Sequence, residues 1–432
     1  MSSAFYKKTI KDVPIAGRTV LLRADYNVPL TPDGQIHDDY RIKASVPTLE
    51  YLLEQGCRVV ICSHLGRPEG KPDPSFSLEV VAPRLSELLG QKVTFVPHCV
   101  GDAVKQAVSK APKNGVVLLE NLRFHPGEEA NDMAFARHLA KDSTAQYFVQ
   151  DGFGVVHRKH ASTDAITQCL PSVAGLLLTK EYTAITQAVQ KPAHPLAITM
   201  GGGAKVGDKI ELLEKFIDLA DILVIGGALA NTFLKFHVGL EIGKSVYDSQ
   251  PNAADEVASL MQKICTKWCT QPATDKPCEC YTCPDCSSHL LLPVDAAVGK
   301  KIDPSEPRRE VKLDQVAPDD YILDMGKESI SRMVSALGNV QEVLWNGTLG
   351  YAEIDQFAYG SNFVAGAIAS HHKTMRSLVG GGDTADFVIK WATSQHKTVE
   401  ECFGHVSTGG GASLELMAGK KLPGIEALLN NS

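Results

Sequence analysis

Basic side chains recur in the first half of the chain, most of them shortly after an apolar run such as VLLR or VVICS. The basic residues are Arg23, Arg41, His64, Arg67, Arg123, His157, Arg158 and His160, and beside them stand Asp25, Tyr26, Asn27, Leu65 and Gly66. Several guanidinium groups together select a small, highly charged anion, because each donates paired hydrogen bonds to phosphate or carboxylate oxygens. Taken singly, each basic residue is better explained as a surface residue or half of a salt bridge. Their recurrence favours an anion site.

Three runs of three glycines stand where strands are predicted to give way to helices, at residues 201–203, 380–382 and 409–411. Backbone amides at the start of a helix bind phosphate, and glycine lets the phosphate approach closely. Lys205 and Lys209 are four residues apart, so they are predicted to share one helical face and supply positive charge. A tight turn without any ligand explains such glycines equally well. The spacing matches neither the P-loop nor the dinucleotide-binding fingerprint.

The second and third glycine runs are followed by residues suited to a phosphate site. Asp383 is predicted to hold Mg²⁺ that bridges phosphate oxygens, and Thr384 is predicted to cap the following helix. An ordinary helix cap without metal is the alternative. Ser407 and Thr408 are predicted to cap a helix from Ala412, whose dipole favours an anion. Anion sites in both halves predict that a phosphate moves between two bound molecules.

Short apolar runs alternate with longer helical patterns in both halves of the chain. The first half contains RTVLLRADY, ASVPTLEYLLEQG and CRVVICSHLG, and the second contains LAITMGG, KIELLEKFIDLA, DILVIGG, LLLPVDAAV and YILDMG. This alternation is typical of an α/β fold with two doubly wound, Rossmann-like parallel sheets. Ligands of such sheets bind outside the carboxyl ends of the strands, where the basic and glycine-rich residues fall.

A helix predicted from about Ala174 to Gln190 separates the two halves, and Pro192 and Pro195 are expected to end it. We therefore divide the chain into a first domain (1–173), an interdomain helix (174–191), a second domain (192–404) and a C-terminal segment (405–432).

Composition limits the class of protein. A chain of 432 residues with 44% hydrophobic residues can bury large cores, and its length suggests two or three domains. The net charge of −7 argues against broad binding to nucleic acid or to a membrane surface. The sequence MSSAFYKKTIKDVPIAG lacks an apolar signal core and no run approaches the length of a membrane span, so we expect a cytoplasmic protein.

Eight segments resemble motifs of the phosphoglycerate kinase family, in the same order and over nearly the whole chain. They are RADYNVPL, SHLGRP, ENLRFHPGEE, DGFGVVHRKHAST, GGGAKVGDKI, GGALANTFLK, GGGDTA and HVSTGGGASLEL. The resemblance implies an enzyme that interconverts 1,3-bisphosphoglycerate plus ADP with 3-phosphoglycerate plus ATP, using Mg²⁺, in glycolysis or its reverse. It further implies that the two domains face a cleft and close about a hinge, and that residues 405–432 return to the first domain. We expect a monomer whose partners are these small molecules.

The resemblance also assigns residues. It places 3-phosphoglycerate on the first domain, at or near Arg23, Asp25, Tyr26, Asn27, Arg41, His64, Leu65, Gly66, Arg67, Arg123, His157, Arg158 and His160. It places the nucleotide on the second domain, at Gly203, Ala204, Lys205, Lys209, Gly226, Gly227, Asn346, Glu353, Gly381, Gly382, Asp383 and Thr384, with Glu353 accepting from the ribose hydroxyls. Arg41, Lys209, Gly410 and Gly411 are expected to stabilise the phosphoryl group in transfer. No general base is needed, because the substrate carboxylate is already ionised.

Six of the 11 cysteines fall in a segment, residues 265–290, where the family normally has only a short connection. Cys278, Cys280, Cys283 and Cys286, with or without Cys265 and Cys269, have spacing suited to thiolate ligation of Zn²⁺. Structural zinc, surface thiols and a redox-sensitive loop all remain open.

Two other functions are compatible with the same residues. One is a catalytically weak relative in which the cysteine-rich segment serves as a metal-binding or redox-responsive interaction module. The other is a kinase for a different small carboxylate. Retention of every expected charged residue favours an active enzyme.

Overall fold

The computed structural model describes residues 5–269 and 283–431, which fold as two compact units. Unit 1 contains the described residues up to Thr183 together with those from Gly419 onward, and unit 2 is Ala184–Ala418.

Unit 1 is built on a six-stranded sheet in the order β3-β4-β2-β1-β5-β6, with every neighbouring pair parallel. The strands are β1 (Thr19–Arg23), β2 (Arg58–Cys62), β3 (Val93–Val96), β4 (Val116–Leu119), β5 (Tyr147–Gln150) and β6 (Ser172–Ala174). The helices are α1 (Tyr40–Glu54), α2 (Val81–Leu89), α3 (Asp102–Lys110), α4 (Pro126–Glu129), α5 (Met133–Asp142) and α6 (Leu176–Gln190).

Both faces of this sheet are buried. Val20 and Leu22 of β1 belong to one hydrophobic cluster, whereas Leu21 between them belongs to another. Because side chains alternate across a strand, a strand buried on both faces is apolar at nearly every position. The continuous apolar runs of the sequence therefore predict a sheet covered on both sides, which the structure confirms.

Unit 2 contains a second six-stranded parallel sheet, in the order β15-β14-β13-β7-β8-β9. Its strands are β7 (Leu196–Met200), β8 (Ile222–Ile225), β9 (Leu290–Leu291), β13 (Glu342–Asn346), β14 (Arg376–Gly380) and β15 (His405–Val406). A further sheet, β11-β10-β12, consists of β10 (Asp295–Gly299), β11 (Arg309–Lys312) and β12 (Tyr321–Met325). The helices are α7 (Ile210–Leu219), α8 (Gly227–Phe233), α9 (Ala253–Trp268), α10 (Pro284–His289), α11 (Lys327–Leu337), α12 (Tyr359–Ser370), α13 (Gly382–Ser394) and α14 (Gly411–Met417).

The smaller sheet differs from the prediction. LLLPVDAAV and YILDMG were expected in the parallel series, but the first run divides at Pro293 into β9 and β10. Only β9 joins the parallel sheet, while β10 pairs antiparallel with β11 and β12. Proline cannot donate to a strand ladder, so it marks the break, but an apolar run does not specify its partner.

The helix predicted between the halves is α6, and Thr183–Ala184, where the units meet along the chain, lies within it. Residues 405–418 group with unit 2, because β15 pairs with β14, so the return to unit 1 begins at Gly419 rather than at residue 405. The returning segment includes α15 (Pro423–Glu426), and Lys7 Nζ donates to the carbonyl oxygens of Glu426 and Leu428 at 2.7 and 3.0 Å.

Within residues 5–269 and 283–431, no helix is both long enough and apolar enough to cross a bilayer.

Candidate functional site

The basic residues of unit 1 follow four strands that are neighbours in the sheet, β4, β2, β1 and β5. Arg23 ends β1, His64 follows β2, Arg123 follows β4, and Arg158 follows β5. Since the four strands are parallel, their carboxyl ends share one edge of the sheet. The structure therefore gathers residues from distant parts of the sequence at a single edge, as predicted.

Asp25 organises part of this edge. Its Oδ2 atom accepts a hydrogen bond from Arg41 Nη1 at 2.6 Å, and its Oδ1 atom lies 3.9 Å from His64 Nδ1. Burial acts to raise the pKa of Asp25, but the positive charges of Arg41 and Arg23 hold it below its usual value. The carboxylate is therefore ionised at neutral pH and fixes the Arg41 guanidinium on the first turn of α1.

Arg23 is almost fully buried, and its contacts are with the protein. Its Nε atom donates to Ser162 Oγ at 2.8 Å, and Ser162 Oγ donates in turn to Glu128 Oε1 at 2.6 Å. Arg23 Nη2 lies 3.2 Å from His64 Nδ1. Glu128 and Ser162 stand inside the quoted motifs, yet their residue types alone gave no reason to assign them a role. Arg23 is thus a positioning residue that fixes the His64 ring.

Arg123 belongs to a second group of contacts. Its Nη1 atom donates to the Gly66 carbonyl oxygen at 2.8 Å, and its Nε atom lies 3.1 Å from Glu129 Oε1. The Gly66 amide donates to Asn27 Oδ1 at 2.8 Å. Gly66 has φ 62°, and a Cβ atom there would lie 2.3 Å from the ring of Phe76. Glycine is required at this position by both its conformation and its packing.

Two of the histidines at this edge, His64 and His160, are neutral at neutral pH. Burial lowers the pKa of His64 well below its ordinary value, and the nearby arginines lower it further, although Asp25 opposes them. Burial and the charges of Arg123, Arg23 and Arg158 lower the pKa of His160 to about 4. The positive potential that lowers these values is the same potential that attracts an anion.

Some predicted ligand residues lie elsewhere. The Tyr26 side chain is fully buried in the hydrophobic core, with its hydroxyl 3.0 Å from Ser45 Oγ, and Leu65 is buried in the same cluster. Their side chains are therefore not placed to contact a ligand. Arg67 is exposed, and Arg158 Nε donates to His157 Nε2 at 3.2 Å.

In unit 2, the turns after β7, β8 and β13 pack backbone against backbone. The Gly202 amide donates to the Thr348 carbonyl oxygen at 2.7 Å. A Cβ atom at Gly347 would lie 2.3 Å from the Gly201 carbonyl carbon, and one at Gly227 would lie 2.8 Å from the Thr348 carbonyl oxygen. Gly202, Gly227 and Gly347 also have positive φ values of 76°, 61° and 87°. No side chain fits between these turns, so their amides stay close together.

Lys209 is held against the first glycine turn. Its Nζ atom donates to the carbonyl oxygens of Gly201 and Gly203 at 2.8 and 3.2 Å. Lys205 was predicted on the same helical face, but α7 begins only at Ile210, after one 3-10 turn, so Lys205 lies outside the helix. The turn after the glycines is therefore longer than the sequence pattern indicated.

Thr384 and Ser407 were predicted to cap helices, but each instead accepts a hydrogen bond from a backbone amide of a glycine turn. Thr384 lies inside the first turn of α13, where its Oγ1 atom accepts from the Gly347 amide at 2.7 Å and so ties two turns together. Ser407 Oγ accepts from the Gly409 amide at 3.0 Å, and α14 begins at Gly411 without a side-chain cap. Asn346 Nδ2 donates to the Gly380 carbonyl oxygen at 2.8 Å, which braces the remaining glycine turn.

A cavity of about 230 Å³ lies within unit 2, next to these turns. Its polar lining includes Gly202, Gly203, Gly227, Asn231, Glu353 and Asp383. Its apolar lining includes Leu234, Val246, Pro293, Leu313, Met325 and Leu349. Sequence reasoning missed the apolar wall, because an aliphatic residue that contacts a ligand does not differ in type from one that fills a core. The combination of an apolar wall and glycine amides suits a flat heterocycle with phosphates attached.

The Asp383 carboxylate is of the ligand type that a magnesium ion prefers. Its carboxylate is exposed on the first turn of α13 and shares the cavity wall with Gly202 and Gly203. Mg²⁺ prefers oxygen ligands and is commonly held by one or two carboxylates together with phosphate oxygens. The residues present therefore fit the group.

The predicted zinc ligands lie only partly within the described residues. Cys283 and Cys286 are described, whereas Cys278 and Cys280 lie outside the described residues.

Comparison with known proteins identifies the family. The sequence profile of the family described as phosphoglycerate kinase matches residues 10–420. A phosphoglycerate kinase from Pelotomaculum thermopropionicum is 41% identical over 424 residues, which cover 98% of this chain and 99% of that protein. The solved phosphoglycerate kinase structures from Coxiella burnetii and Pyrococcus horikoshii are similar at TM-scores of 0.77 and 0.78, with 32% and 30% identity, and each comparison covers 98% of both chains.

Proposed function

This chain belongs to the phosphoglycerate kinase family, and we propose that the edge of unit 1 and the cavity of unit 2 each hold one substrate of that reaction. The enzyme transfers a phosphoryl group reversibly between 1,3-bisphosphoglycerate and ADP, giving 3-phosphoglycerate and ATP, in glycolysis and gluconeogenesis. It is a phosphotransferase whose acceptor is a carboxyl group, and it uses magnesium-bound nucleotide. The assignments that follow concern individual residues.

3-Phosphoglycerate binds at the edge of unit 1. The observation that carries this assignment is the convergence of arginines and two neutral histidines at the carboxyl ends of adjacent strands, with Arg41 held beside them by Asp25. Arg41, Arg123 and Arg158 donate to the phosphate and carboxylate oxygens, together with the exposed Arg67. Arg23 and Asp25 hold the site in shape through His64 and Arg41.

The nucleotide binds in the cavity of unit 2. The apolar wall packs against the adenine, with Gly226 and Gly227 on one side of it. Glu353 accepts hydrogen bonds from the ribose hydroxyls. The phosphates lie against the turn of Gly203, Ala204, Lys205 and Lys209 and against the turn of Asn346 and Gly381–Thr384.

The transfer itself requires no proton movement. In the ATP-forming direction, a β-phosphate oxygen of ADP attacks the phosphorus of the acyl phosphate, the bond from that phosphorus to the carboxyl oxygen breaks, and the carboxylate departs ionised. Arg41, Lys209 and the amides of Gly410 and Gly411 stabilise the charge on the phosphoryl oxygens. Lys209 is already fixed by two carbonyl oxygens, so little reorganisation is needed when charge develops.

Asp383 would hold the magnesium ion that accompanies the nucleotide. When bound, that ion would supply positive charge to the phosphate oxygens.

We place the enzyme in the cytoplasm and expect it to act as a monomer. No two cysteines of residues 5–269 and 283–431 are joined in a disulfide, which is consistent with a reducing compartment. Closure of the two units about a hinge stays a prediction.

A coupled assay tests the choice of substrate. The purified enzyme is given Mg²⁺, ADP and either 1,3-bisphosphoglycerate or acetyl phosphate, and ATP formation is followed. We expect a kcat/KM at least 1,000-fold higher for 1,3-bisphosphoglycerate, on the order of the loss when several charge-assisted contacts are missing. Comparable values for the two compounds would favour a kinase for a different carboxylate. Absence of turnover with either compound would favour the binding-module alternative.

A further inference from the structure

The cysteine-rich segment brings four thiols together in unit 2. The Sγ atoms of Cys265, Cys269 and Cys286 all lie within 4.8 Å of one another. Cys283 joins them through Cys269, with 3.8 Å between the two Sγ atoms. A tetrahedral zinc ion with Zn–S bonds of about 2.3 Å separates its sulfur ligands by about 3.8 Å. We propose that Cys265, Cys269, Cys283 and Cys286 ligate one Zn²⁺ as a structural site.

The spacing of these residues suits two ligand pairs. Three residues separate Cys265 from Cys269, and two separate Cys283 from Cys286. Pairs of zinc ligands in structural sites are commonly two to four residues apart. Cys265 lies in the last turn of α9 and Cys269 directly follows the helix, with the Cys269 amide donating to the Cys265 carbonyl oxygen at 2.9 Å. Residues four apart at a helix end lie on one side, so both thiols face the same way.

The two ligand pairs are held on neighbouring helices. The rings of Trp268 and His289 stack with centroids 5.4 Å apart and an interplanar angle of 10°. His289 Nδ1 lies 2.7 Å from the Asp221 carbonyl oxygen, next to β8. This stack joins the end of α9 to the end of α10.

Lys267 anchors the same helix end to the end of α7. Its Nζ atom donates to the carbonyl oxygens of Ile217, Asp218 and Ala220 at 2.6, 2.9 and 2.6 Å. Cys286 is fully buried beside these elements. These contacts hold the ends of α7, α9 and α10 together, so the helices that carry Cys265 and Cys286 are positioned by contacts other than those with a metal.

Thiolate ligands select the ion. Three thiols within 4.8 Å of one another, with the Cys283 thiol 3.8 Å from one of them, favour zinc over magnesium or calcium, which prefer oxygen. The Asp285 carboxylate also lies within 4.8 Å of the Cys269 and Cys283 thiols. A disulfide between Cys269 and Cys283 would require their sulfurs to approach from 3.8 Å to about 2.05 Å.

This ligand set differs from the one that spacing alone suggested. Cys278 and Cys280 were predicted to bind with Cys283 and Cys286, whereas the structure gathers Cys265 and Cys269 around Cys286. A metal at the four gathered thiols would close the chain segment between Cys269 and Cys283, so it would stabilise unit 2 rather than take part in phosphoryl transfer.

The test measures metal content and spectrum, which do not depend on activity. Full-length protein without an affinity tag is purified from zinc-supplemented culture and analysed by mass spectrometry of the metal. We expect one zinc per chain, and we expect that Co²⁺ exchanged into the site shows the intense visible bands of a tetrahedral tetrathiolate centre. Cys269→Ser and Cys286→Ser should each lower the bound zinc at least tenfold.

Two variants serve as matched controls. Cys278→Ser/Cys280→Ser removes the rival ligands and should keep one zinc per chain, and Asp285→Asn should do the same. If the Cys269→Ser and Cys286→Ser variants do not fold, the cobalt spectrum of the unaltered protein still decides whether four thiolates bind the ion, and the zinc content of Cys278→Ser/Cys280→Ser decides whether the rival pair is among them.

Any of several results would overturn the assignment. They include absence of zinc in the unaltered protein, loss of zinc in Cys278→Ser/Cys280→Ser, and a disulfide between Cys269 and Cys283 found by peptide mapping. A cobalt spectrum with oxygen in the coordination sphere would also contradict four-thiolate ligation.

Discussion

At the scale of single residues, the substrate edge of unit 1 combines residues that face the ligand with residues that only support them. Arg23 and Asp25 have side chains suited to ligand binding, but both are buried and bonded to neighbouring residues. Glu128 supplies a buried counter-charge, and burial raises its pKa while Arg23 opposes the shift. The supporting residues keep the exposed arginines in fixed positions before substrate arrives, which reduces the cost of organising the site.

Replacing Arg41 by alanine should affect both turnover and stability. Loss of one positioned donor to the phosphoryl group should lower kcat by about 100- to 1,000-fold. The same change leaves the buried Asp25 carboxylate without its 2.6 Å partner and should cost about 1–3 kcal/mol of stability. Steady-state kinetics and urea unfolding measure the two effects.

The double variant Arg41→Ala/Asp25→Asn separates the effect on turnover from the effect on stability. It removes the unpaired charge, so most of the lost stability should return while kcat stays low. Recovery of kcat in the double variant would show that Arg41 acts only by supporting the fold.

Replacing Lys209 by alanine should slow transfer by about 100- to 1,000-fold, because Lys209 Nζ is fixed beside the glycine turn where the phosphates are proposed to lie. Lys215→Ala is the matched control, since Lys215 lies on α7, which begins directly after Lys209. Rapid-quench measurement of a single turnover gives the transfer rate. A rate within threefold of the unaltered enzyme would remove Lys209 from the mechanism.

At the scale of secondary-structure elements, the turns are specified by glycine. Gly201, Gly227 and Gly347 stand where three backbone segments approach too closely for a Cβ atom. The glycine runs in the sequence predicted close approach of backbone to a ligand, and the structure adds close approach of backbone to backbone. The same turns therefore need glycine for two reasons. The backbone segments must pack closely against one another, and this packing brings together the amides that are proposed to bind phosphate.

A buried carboxylate at the N-terminus of α6, that of Asp151, should make the stability of the protein depend on pH. The Asp151 Oδ1 atom accepts from the amides of Leu177 and Leu178 at 3.0 and 3.2 Å, while its Oδ2 atom is buried without a hydrogen-bond partner in the described structure. Burial raises the pKa of Asp151 from 3.8 to about 7, although Thr48 and these amides oppose the shift. The folded protein therefore holds a proton that the unfolded chain releases, so the free energy of unfolding falls as pH rises from about 4 to about 7.

Asp151→Asn should remove this dependence, because an amide keeps the accepting oxygen and carries no charge. Relative to the variant, the unaltered protein should lose at most about 4 kcal/mol across that pH window, at about 1.4 kcal/mol per pKa unit. Urea unfolding followed by circular dichroism at a series of pH values gives the comparison. Parallel stability curves for the two proteins would contradict the raised pKa.

At the scale of the whole molecule, each unit has its own parallel sheet and its own core, and the chain leaves unit 1 through α6 and returns to it at Gly419. The two substrates are assigned to different units. Each substrate should therefore stabilise mainly the unit that binds it, because a ligand that binds only the folded form shifts the unfolding equilibrium of that form.

Amide hydrogen exchange measures how much each substrate stabilises each unit. At a concentration about 100 times its Kd, a ligand adds about 2.7 kcal/mol to the free energy of unfolding of the unit that binds it. Amides of that unit that exchange only by its unfolding should therefore exchange about 100-fold more slowly. 3-Phosphoglycerate should protect β1, β2, β4 and β5, whereas magnesium-bound ADP should protect β7, β8 and β13. Protection of the β7–β8 region by 3-phosphoglycerate alone, at the level seen with the nucleotide, would contradict the assignment of substrates to units.

The sequence by itself determined the fold class, the two parallel sheets and the kind of ligand. Apolar periodicity is a local property, and the chemistry of arginine, lysine and glycine is carried by the residue type, so both can be recognised without coordinates. The family also followed from the order of eight short motifs.

Only the tertiary structure decided which charged residues hold other side chains in place, that β10 and β12 pair in a separate antiparallel sheet, and which cysteine thiols lie close together. The burial of Arg23 and Tyr26, the antiparallel sheet and the approach of Cys265 to Cys286 all depend on contacts between residues distant in sequence. Such contacts are set by packing of the whole unit, and no local pattern specifies them. The residue types in the sequence therefore indicate which chemistry is possible, and packing determines which side chains are positioned to carry it out.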